Sequence, residues 1–140
     1  MARLEFSQAI QLYAEKVGAT LDETLRAVAL DLYGAIIKDT PVDTGRAKGN
    51  WQTTLGSPAV GVIERTSEDG AIAEMNEEVA KFKGDTTMYL TNNLPYIGTL
   101  EYGGYGTGDG ATEKTTRDGF SIQAPYGMVR KNVVRVKARI

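Results

Sequence analysis

The sequence predicts an α+β fold in which a long N-terminal helix packs on a small antiparallel sheet. A second helix, a long glycine-rich loop and a short C-terminal helix complete the predicted fold. Two observations lead to this class: apolar residues recur at helical spacing through most of the first forty residues, and short β-branched runs follow later. At 140 residues the chain suits a single domain spanning residues 1–140.

The long helix is predicted over residues 21–39 because its apolar residues fall at spacings of three and four. That stripe consists of Leu21, Leu25, Val28, Leu32 and Ile36. Thr20 and Glu23 match a capping box at the start, and Pro41 ends the helix. An earlier helical segment has its own stripe, and Gly18 separates or bends the two. The earlier stripe consists of Phe6, Ile10, Tyr13 and Val17.

A turn and a short strand are predicted after the long helix. Pro41, Asp43, Thr44 and Gly45 favour a turn with a side-chain bond from the aspartate to the backbone. The residues Trp51–Leu55 then indicate a strand. Trp51, the one tryptophan, is expected either in the core or on a partner surface.

A second helix, a second strand and a loop are predicted in the following half. Residues 69–83 carry apolar positions on one helical face, and Thr86–Thr91 is β-branched and aromatic, as strands are. The sequence YIGTLEYG favours one or two helical turns. Residues 103–120 are rich in glycine and polar residues, which predicts a mobile loop.

The last fifteen residues fit two structures. As a helix, Val129, Val133, Val136 and Ile140 share a face; as a strand, alternate residues from Val134 are apolar. We favour a helix that starts near Pro125 and gives way to an extended end, and the strand remains the alternative.

Composition excludes several kinds of chemistry. The chain has no histidine and no cysteine, which removes the Ser-His-Asp triad, disulfides and the usual zinc sites. The glycines of the predicted loop fall at every second position from Gly104 to Gly110, so no nucleotide-binding fingerprint can be placed on them. We therefore predict a protein that is not an enzyme and has no cofactor. No targeting segment or membrane span is recognisable, which predicts a soluble protein.

The charges are unevenly distributed. Residues 64–85 hold seven acidic and three basic residues, whereas residues 126–140 hold five basic residues and no acid. The five are Arg130, Lys131, Arg135, Lys137 and Arg139. The two segments could be solvated faces, or they could meet within one chain or between subunits. A net charge of −2 argues against specific nucleic-acid binding and leaves only non-specific contact with DNA.

Three fragments in order, TPVDTGRAKGNW, NNLPYIGTLEYG and APYGMVRKNV, resemble a family of small virion proteins of tailed bacteriophages. These are minor tail or tail-completion proteins of the head–tail junction, and the resemblance covers about residues 6–137. The matching positions are Pro41, Val42, Asp43, Thr44, Gly45, Asn92, Asn93, Pro95, Tyr96, Glu101, Tyr102, Gly103, Pro125, Gly127, Met128, Val129 and Arg130. The sequence departs from the family pattern at two points. Ile97 stands where the family commonly has a small residue, and the terminal helix after the third motif is short.

The resemblance implies an α+β neck protein of the virion, made in the host cytoplasm, that assembles with itself into a ring of expected sixfold symmetry. The implied partners are a head-closure or connector protein on one side and a tail terminator or tail tube protein on the other. DNA would pass through the ring, and no catalytic residue is carried over. Asp43 and Thr44 would hold the turn after the long helix. Glu101 and the tyrosines beside it would hold the base of the glycine-rich loop by hydrogen bonds to exposed backbone amides, with Glu101 and Tyr102, next to Gly103, anchoring its root.

Two alternatives remain open at this point. The chain could be a tail terminator or another ring that caps the tail tube, because such proteins share its size and α+β content. A small regulatory or DNA-processing protein is the alternative outside virion structure.

For the ring itself, the acidic segment 64–85 of one copy and the basic end of the next form a hypothetical contact. Arg135 and Lys137 would contribute to that contact without supporting the fold of the monomer.

Overall fold

The computed structural model describes residues 6–41, 45–102 and 127–139 of the chain. Within these ranges six helices accompany one two-stranded antiparallel sheet, which confirms the α+β class. In chain order the elements are α1 (Phe6–Val17), α2 (Leu21–Asp39), α3 (Arg46–Gly49), β1 (Gln52–Leu55), α4 (Glu68–Lys81), β2 (Met88–Thr91), α5 (Ile97–Tyr102) and α6 (Val129–Arg139). The predicted loop 103–120 lies outside the described residues.

The long helix α2 begins at the predicted capping box. The Thr20 hydroxyl accepts a hydrogen bond from the Glu23 N–H at 3.1 Å, which satisfies one of the donors that a helix start leaves free. The buried face of α2, however, differs from the predicted stripe. It consists of Thr24, Ala29, Gly34, Ile36 and Ile37, and Leu21 is 45% exposed.

Packing explains why the prediction for α2 was partly wrong. The helix contacts α1, α4 and α6, so its buried surface is wider than one stripe. Small residues lie where a neighbouring helix comes close: a Cβ added at Gly34 would stand 3.7 Å from the Met75 methyl group of α4. A periodicity of large apolar residues does not detect contacts made through Ala29 and Gly34.

The two strands pair over their whole length, with Gln52 opposite Thr91 and Leu55 opposite Met88. The sheet packs on α4, and α2 reaches it through the Tyr33 hydroxyl, which donates to the Met88 carbonyl at 3.2 Å. The prediction of two short strands is confirmed, with each strand beginning later than predicted.

The outer edge of β1 is occupied by two side chains. Arg65 Nη2 donates to the Trp51 carbonyl at 2.7 Å, and the Thr53 N–H donates to Glu74 Oε1 at 3.0 Å. Arg65 and Glu74 also pair with each other at 3.4 Å. Together they bond two of the backbone groups at the start of β1 that a neighbouring strand would otherwise bond.

One core cluster joins buried residues from α2 to the segment just before α6. Its buried members are Ala29, Ile36, Ile37, Ala47, Trp51, Ala71, Met75, Val79, Leu94, Leu100 and Met128. Trp51 therefore lies in the core, which was one of the two positions expected for it; the other was a partner surface. Its indole N–H donates to the Thr40 hydroxyl at 2.8 Å, which in turn donates to the Ile36 carbonyl at 2.7 Å.

The C-terminal segment is helical to Arg139, so the strand alternative and the extended end are wrong for the described residues. The helix also starts later than the predicted Pro125, which lies outside the described ranges. Gly127 has φ +79°, a left-handed conformation that helical residues do not adopt, and α6 begins two residues after it. No helix of the described ranges is long and apolar enough to cross a membrane.

Candidate functional site

The carboxylate of Glu101 binds the start of α6, although it lies at the end of α5. Its Oε1 accepts the backbone N–H groups of Met128 and Val129, each at 2.8 Å, and its Oε2 accepts the N–H of Arg130 at 2.9 Å. Glu101 is only 6% exposed. Because the first N–H groups of a helix have no partner within it, Glu101 acts as the cap of α6 from a distant part of the chain.

The Arg130 side chain also binds Glu101, at both its carboxylate and its backbone carbonyl. Its Nε donates to Glu101 Oε2 at 3.0 Å and its Nη2 donates to the Glu101 carbonyl at 2.7 Å. The guanidinium carbon stands 4.7 Å from the centre of the Tyr102 ring, a cation–π contact. We call Glu101, Tyr102 and residues 127–130 the Glu101 network.

Glycine is required at position 127 by this network. A Cβ there would lie 2.5 Å from the Glu101 carbonyl and 2.7 Å from its carboxylate Oε1, and the φ of +79° disfavours other residues. The third sequence motif therefore has its glycine where the chain passes closest to the glutamate of the second.

The Glu101 network joins the two chain segments that flank residues 103–126. Glu101 accepts hydrogen bonds from backbone amides, as expected, but these are the buried and half-buried amides of residues 128–130 at the start of α6, whereas exposed amides at the base of the loop were expected. Tyr102 is 67% exposed and contributes its ring face to Arg130. Gly103, which was expected to join them, lies outside the described residues.

Acid is expected to weaken this network. Burial by itself raises the pKa of Glu101, but the N–H groups of Val129, Arg130 and Met128, with the Arg130 side chain, hold the pKa below its ordinary value of 4.5. Since the folded-state pKa is depressed, the stabilisation is complete above the ordinary value and is lost as the pH falls through the folded-state value.

This predicts that the Glu101→Gln variant loses part of the pH dependence of stability. The difference in free energy of unfolding between wild type and variant should shrink as the pH falls from about 6 to about 3. Urea denaturation at several pH values measures it. A difference that stays constant over this range would show that ionised Glu101 does not stabilise the fold.

A second set of contacts attaches α6 to α2. Asp39 accepts a hydrogen bond from Asn132 at 2.9 Å and pairs with Lys131 at 3.2 Å. Burial raises the pKa of Asp39, and the bonds from Asn132 and Lys131 outweigh it, so the pKa is lowered. Two turns earlier on α2, Asp31 pairs with Arg135 at 2.9 Å and with Arg139 at 2.6 Å.

These contacts correct part of the charge hypothesis. Within the described chain, Arg130, Lys131, Arg135 and Arg139 pair with Asp31, Asp39 and Glu101. None of these three acids belongs to the segment 64–85. Arg135 therefore supports the fold of the monomer, contrary to the expectation that it serves assembly alone. Lys137 is exposed on α6.

The first and second motifs also contact each other. The Asn92 side chain donates to the Ala47 carbonyl at 2.9 Å and accepts the Leu94 N–H at 3.2 Å. Pro41 is buried, and Gly45, with φ +80°, precedes α3. Asp43 and Thr44 lie outside the described residues. Tyr96 is 37% exposed and lies apart from the Glu101 carboxylate contacts.

Sequence reasoning missed an exposed apolar loop, residues 56–63, which we call the Val60 loop. Val60 is 95% exposed and Val62 is 41% exposed, although both are large and apolar. Side chains from elsewhere bond the loop backbone: Asn93 donates to the carbonyls of Ala59 and Gly61 at 3.0 and 3.1 Å. Further bonds come from Gln52 Nε2 to the Gly61 carbonyl, Thr54 Oγ1 to the Ser57 carbonyl, and the Ile63 N–H to Asn50 Oδ1.

The loop is thus held in one shape while its apolar tip faces solvent. Asn93, one of the adjacent asparagines of the second motif, bonds this loop, but nothing in the sequence marks Val60 as exposed.

Comparisons with protein-family models, with curated proteins and with solved structures find no significant match to this chain. Among the described residues no group of three or more acidic side chains is arranged to hold a metal ion.

Proposed function

We propose that this chain is a structural virion protein of the head–tail junction of a tailed bacteriophage. It would form a ring that joins the head connector to the tail tube and lets DNA pass. The proposal rests on the resemblance of its three sequence motifs to those of the tail-completion family.

The observation that supports it most is how the motif residues are used. The three motifs, far apart in sequence, contact one another through Asn92 and Glu101, and they contribute Ala47, Trp51, Leu94, Leu100 and Met128 to one core. Of their described polar side chains, Asn92, Glu101 and Arg130 are engaged in bonds that hold the fold. This is the use expected of motifs that maintain the fold of a structural protein that binds other proteins.

The Val60 loop adds a surface suited to contact. A loop whose backbone is already held by hydrogen bonds loses little conformational entropy on binding, so burying its apolar tip is favourable. A fully buried valine contributes about 1.5–3 kcal/mol relative to an exposed one.

The direct test is electron microscopy of virions from a phage that encodes this chain. We expect a ring of the chain between the connector and the tail tube. A ring at the far end of the neck, against the tail tube alone, would instead assign it as a terminator. Absence from the virion would contradict the proposal.

A Val60→Asp variant is expected to reduce incorporation into virions by roughly tenfold or more, because a buried contact of this size corresponds to that change in affinity. Its thermal midpoint should match wild type, since Val60 is 95% exposed. Complementation of a null phage, with the chain quantified in purified particles, measures the effect. Val17→Asp, at an exposed valine of α1, is the matched control and should be incorporated normally.

A further inference from the structure

Two helices of this chain expose faces of opposite charge. The outer face of α6 consists of Arg130, Lys131, Val134, Lys137 and Ala138, all of them exposed. The outer face of α4 consists of Asp69, Ala73, Asn76, Glu77 and Ala80, also exposed. As a whole, α6 holds five basic residues and no acid, whereas α4 holds five acids and one lysine.

The α6 outer face is unusual because an apolar side chain stands among its charges. Val134 is 67% exposed, while the opposite side of the helix buries Asn132 and Val136. At 100° per residue, Val134 and Ala138 lie at the centre of the outer face, with Arg130 and Lys137 on one side. Since the helix is already anchored to α2 through Asp31 and Asp39, packing within the monomer does not need Val134.

The α4 outer face has the complementary pattern. Ala73 lies at its centre, four residues from Asp69 and four from Glu77, and it leaves a shallow site between two carboxylates. The two acids are separated by about 12 Å along the helix, and Arg130 and Lys137 by about 10.5 Å. When Val134 sits over Ala73, the two basic residues, Arg130 and Lys137, therefore come within reach of the two acids, Asp69 and Glu77.

Existing ion pairs do not prevent this contact. Arg130 keeps its bonds to Glu101 through Nε and Nη2. Its side chain is nevertheless 52% exposed, so part of the guanidinium can still face a second copy. Glu77 pairs with Lys81 on the same helix, but both side chains are more than half exposed. Exposed pairs of this kind are weak and exchange readily with a better partner.

We propose that the α6 outer face of one copy docks on the α4 outer face of a second copy. The two faces differ, so the contact is heterologous, and repeating it from copy to copy generates a closed ring when the rotation closes. The inference rests on the proposed ring, and it names the surfaces that the ring would use. It keeps the hypothetical contact between the acidic segment and the basic end, including Lys137, and drops Arg135, which pairs with Asp31 of its own chain.

Site-specific cross-linking tests the contact cleanly because the chain has no cysteine of its own. Val134→Cys and Ala73→Cys are purified separately, mixed and oxidised. A disulfide-linked dimer is expected in the mixture and only background linkage in each variant alone. Val134→Cys linked mainly to itself would indicate a two-fold contact and overturn the proposal.

Sedimentation velocity of the full chain gives the second readout. Val134→Glu is expected to weaken self-association at least tenfold while leaving the thermal midpoint near wild type, because the side chain is exposed. Leu12→Glu is the matched control, since Leu12 is 51% exposed on α1, and it should associate as wild type does. Unchanged association of Val134→Glu, or a wild-type chain that stays monomeric up to millimolar concentration, would overturn the proposal.

These outcomes are independent of the virion test. A chain found at the head–tail junction whose association ignores Val134→Glu would keep the proposed function and lose this interface. A chain that cross-links as expected and is absent from virions would do the reverse.

Discussion

Replacing Glu101 with alanine is expected to lower the free energy of unfolding by about 3 kcal/mol or more. The substitution leaves the N–H groups of Met128, Val129 and Arg130 without their acceptor at the buried start of α6. Hydrogen bonds to a charged group contribute about 1.5–3 kcal/mol, and an orphaned buried donor costs about 1–3 kcal/mol. The Arg130 guanidinium loses its carboxylate partner as well. Urea denaturation measures the loss.

Glu78→Ala is the matched control, because Glu78 lies on α4 and its ion pair among the described residues is with the exposed Lys81. Its expected effect is below about 0.5 kcal/mol. Amide hydrogen exchange supplies a local readout: in Glu101→Ala the amides of residues 128–130 should exchange faster, and those of α4 should change less. A Glu101→Ala variant as stable as the control would show that α6 is held by its contacts with α2 alone.

Replacing Gly49 with alanine is expected to cost about 3 kcal/mol or more, because the site has no room for a Cβ. An added Cβ would lie 2.1 Å from the Arg65 carbonyl oxygen, 2.6 Å from its carbon and 2.9 Å from the Thr66 nitrogen. All three are backbone atoms, so relief requires movement of the chain itself. Overpacking in a tight site typically costs 1–3 kcal/mol, and here Arg65 also closes the edge of β1.

Gly98→Ala separates this steric effect from the general effect of replacing glycine. Gly98 lies in α5, and a Cβ there would meet no atom within 4 Å. Alanine at such a helical site should be neutral or stabilising by about 0.5–1 kcal/mol. Denaturation of the two variants side by side gives the comparison, and equal stabilities would contradict the crowding at Gly49.

The helices were predictable where local chemistry determines them. The Thr20 capping box and the stop at Pro41 define α2 from a few neighbouring residues, and α4 follows from its apolar spacing. The helical alternative for the C-terminus was favoured for the same reason. The start of α6 was not predictable, because Gly127 and Glu101 determine it together from positions far apart in sequence.

The candidate site was predictable only in part for the same physical reason. The motif glutamate was expected to bond backbone amides, and it does, but sequence could not say which amides it reaches. The partners of the basic end were also unexpected, because Asp31 and Asp39 lie on α2, outside the acidic segment 64–85 that was considered as its partner. The Val60 loop was missed because exposure of a valine is a property of the folded surface, and sequence carries no direct sign of it.

The pair of side chains that occupies the outer edge of β1 limits how this protein can aggregate. Endless growth of a β-sheet from chain to chain needs two free edges on every molecule, one to receive and one to extend. With Arg65 and Glu74 bonded to the backbone of Trp51 and Thr53, the start of β1 is closed to a further strand. A strand that joined through β2 would leave the next addition to this partly closed edge, so these two side chains work against growth of the sheet into a fibre.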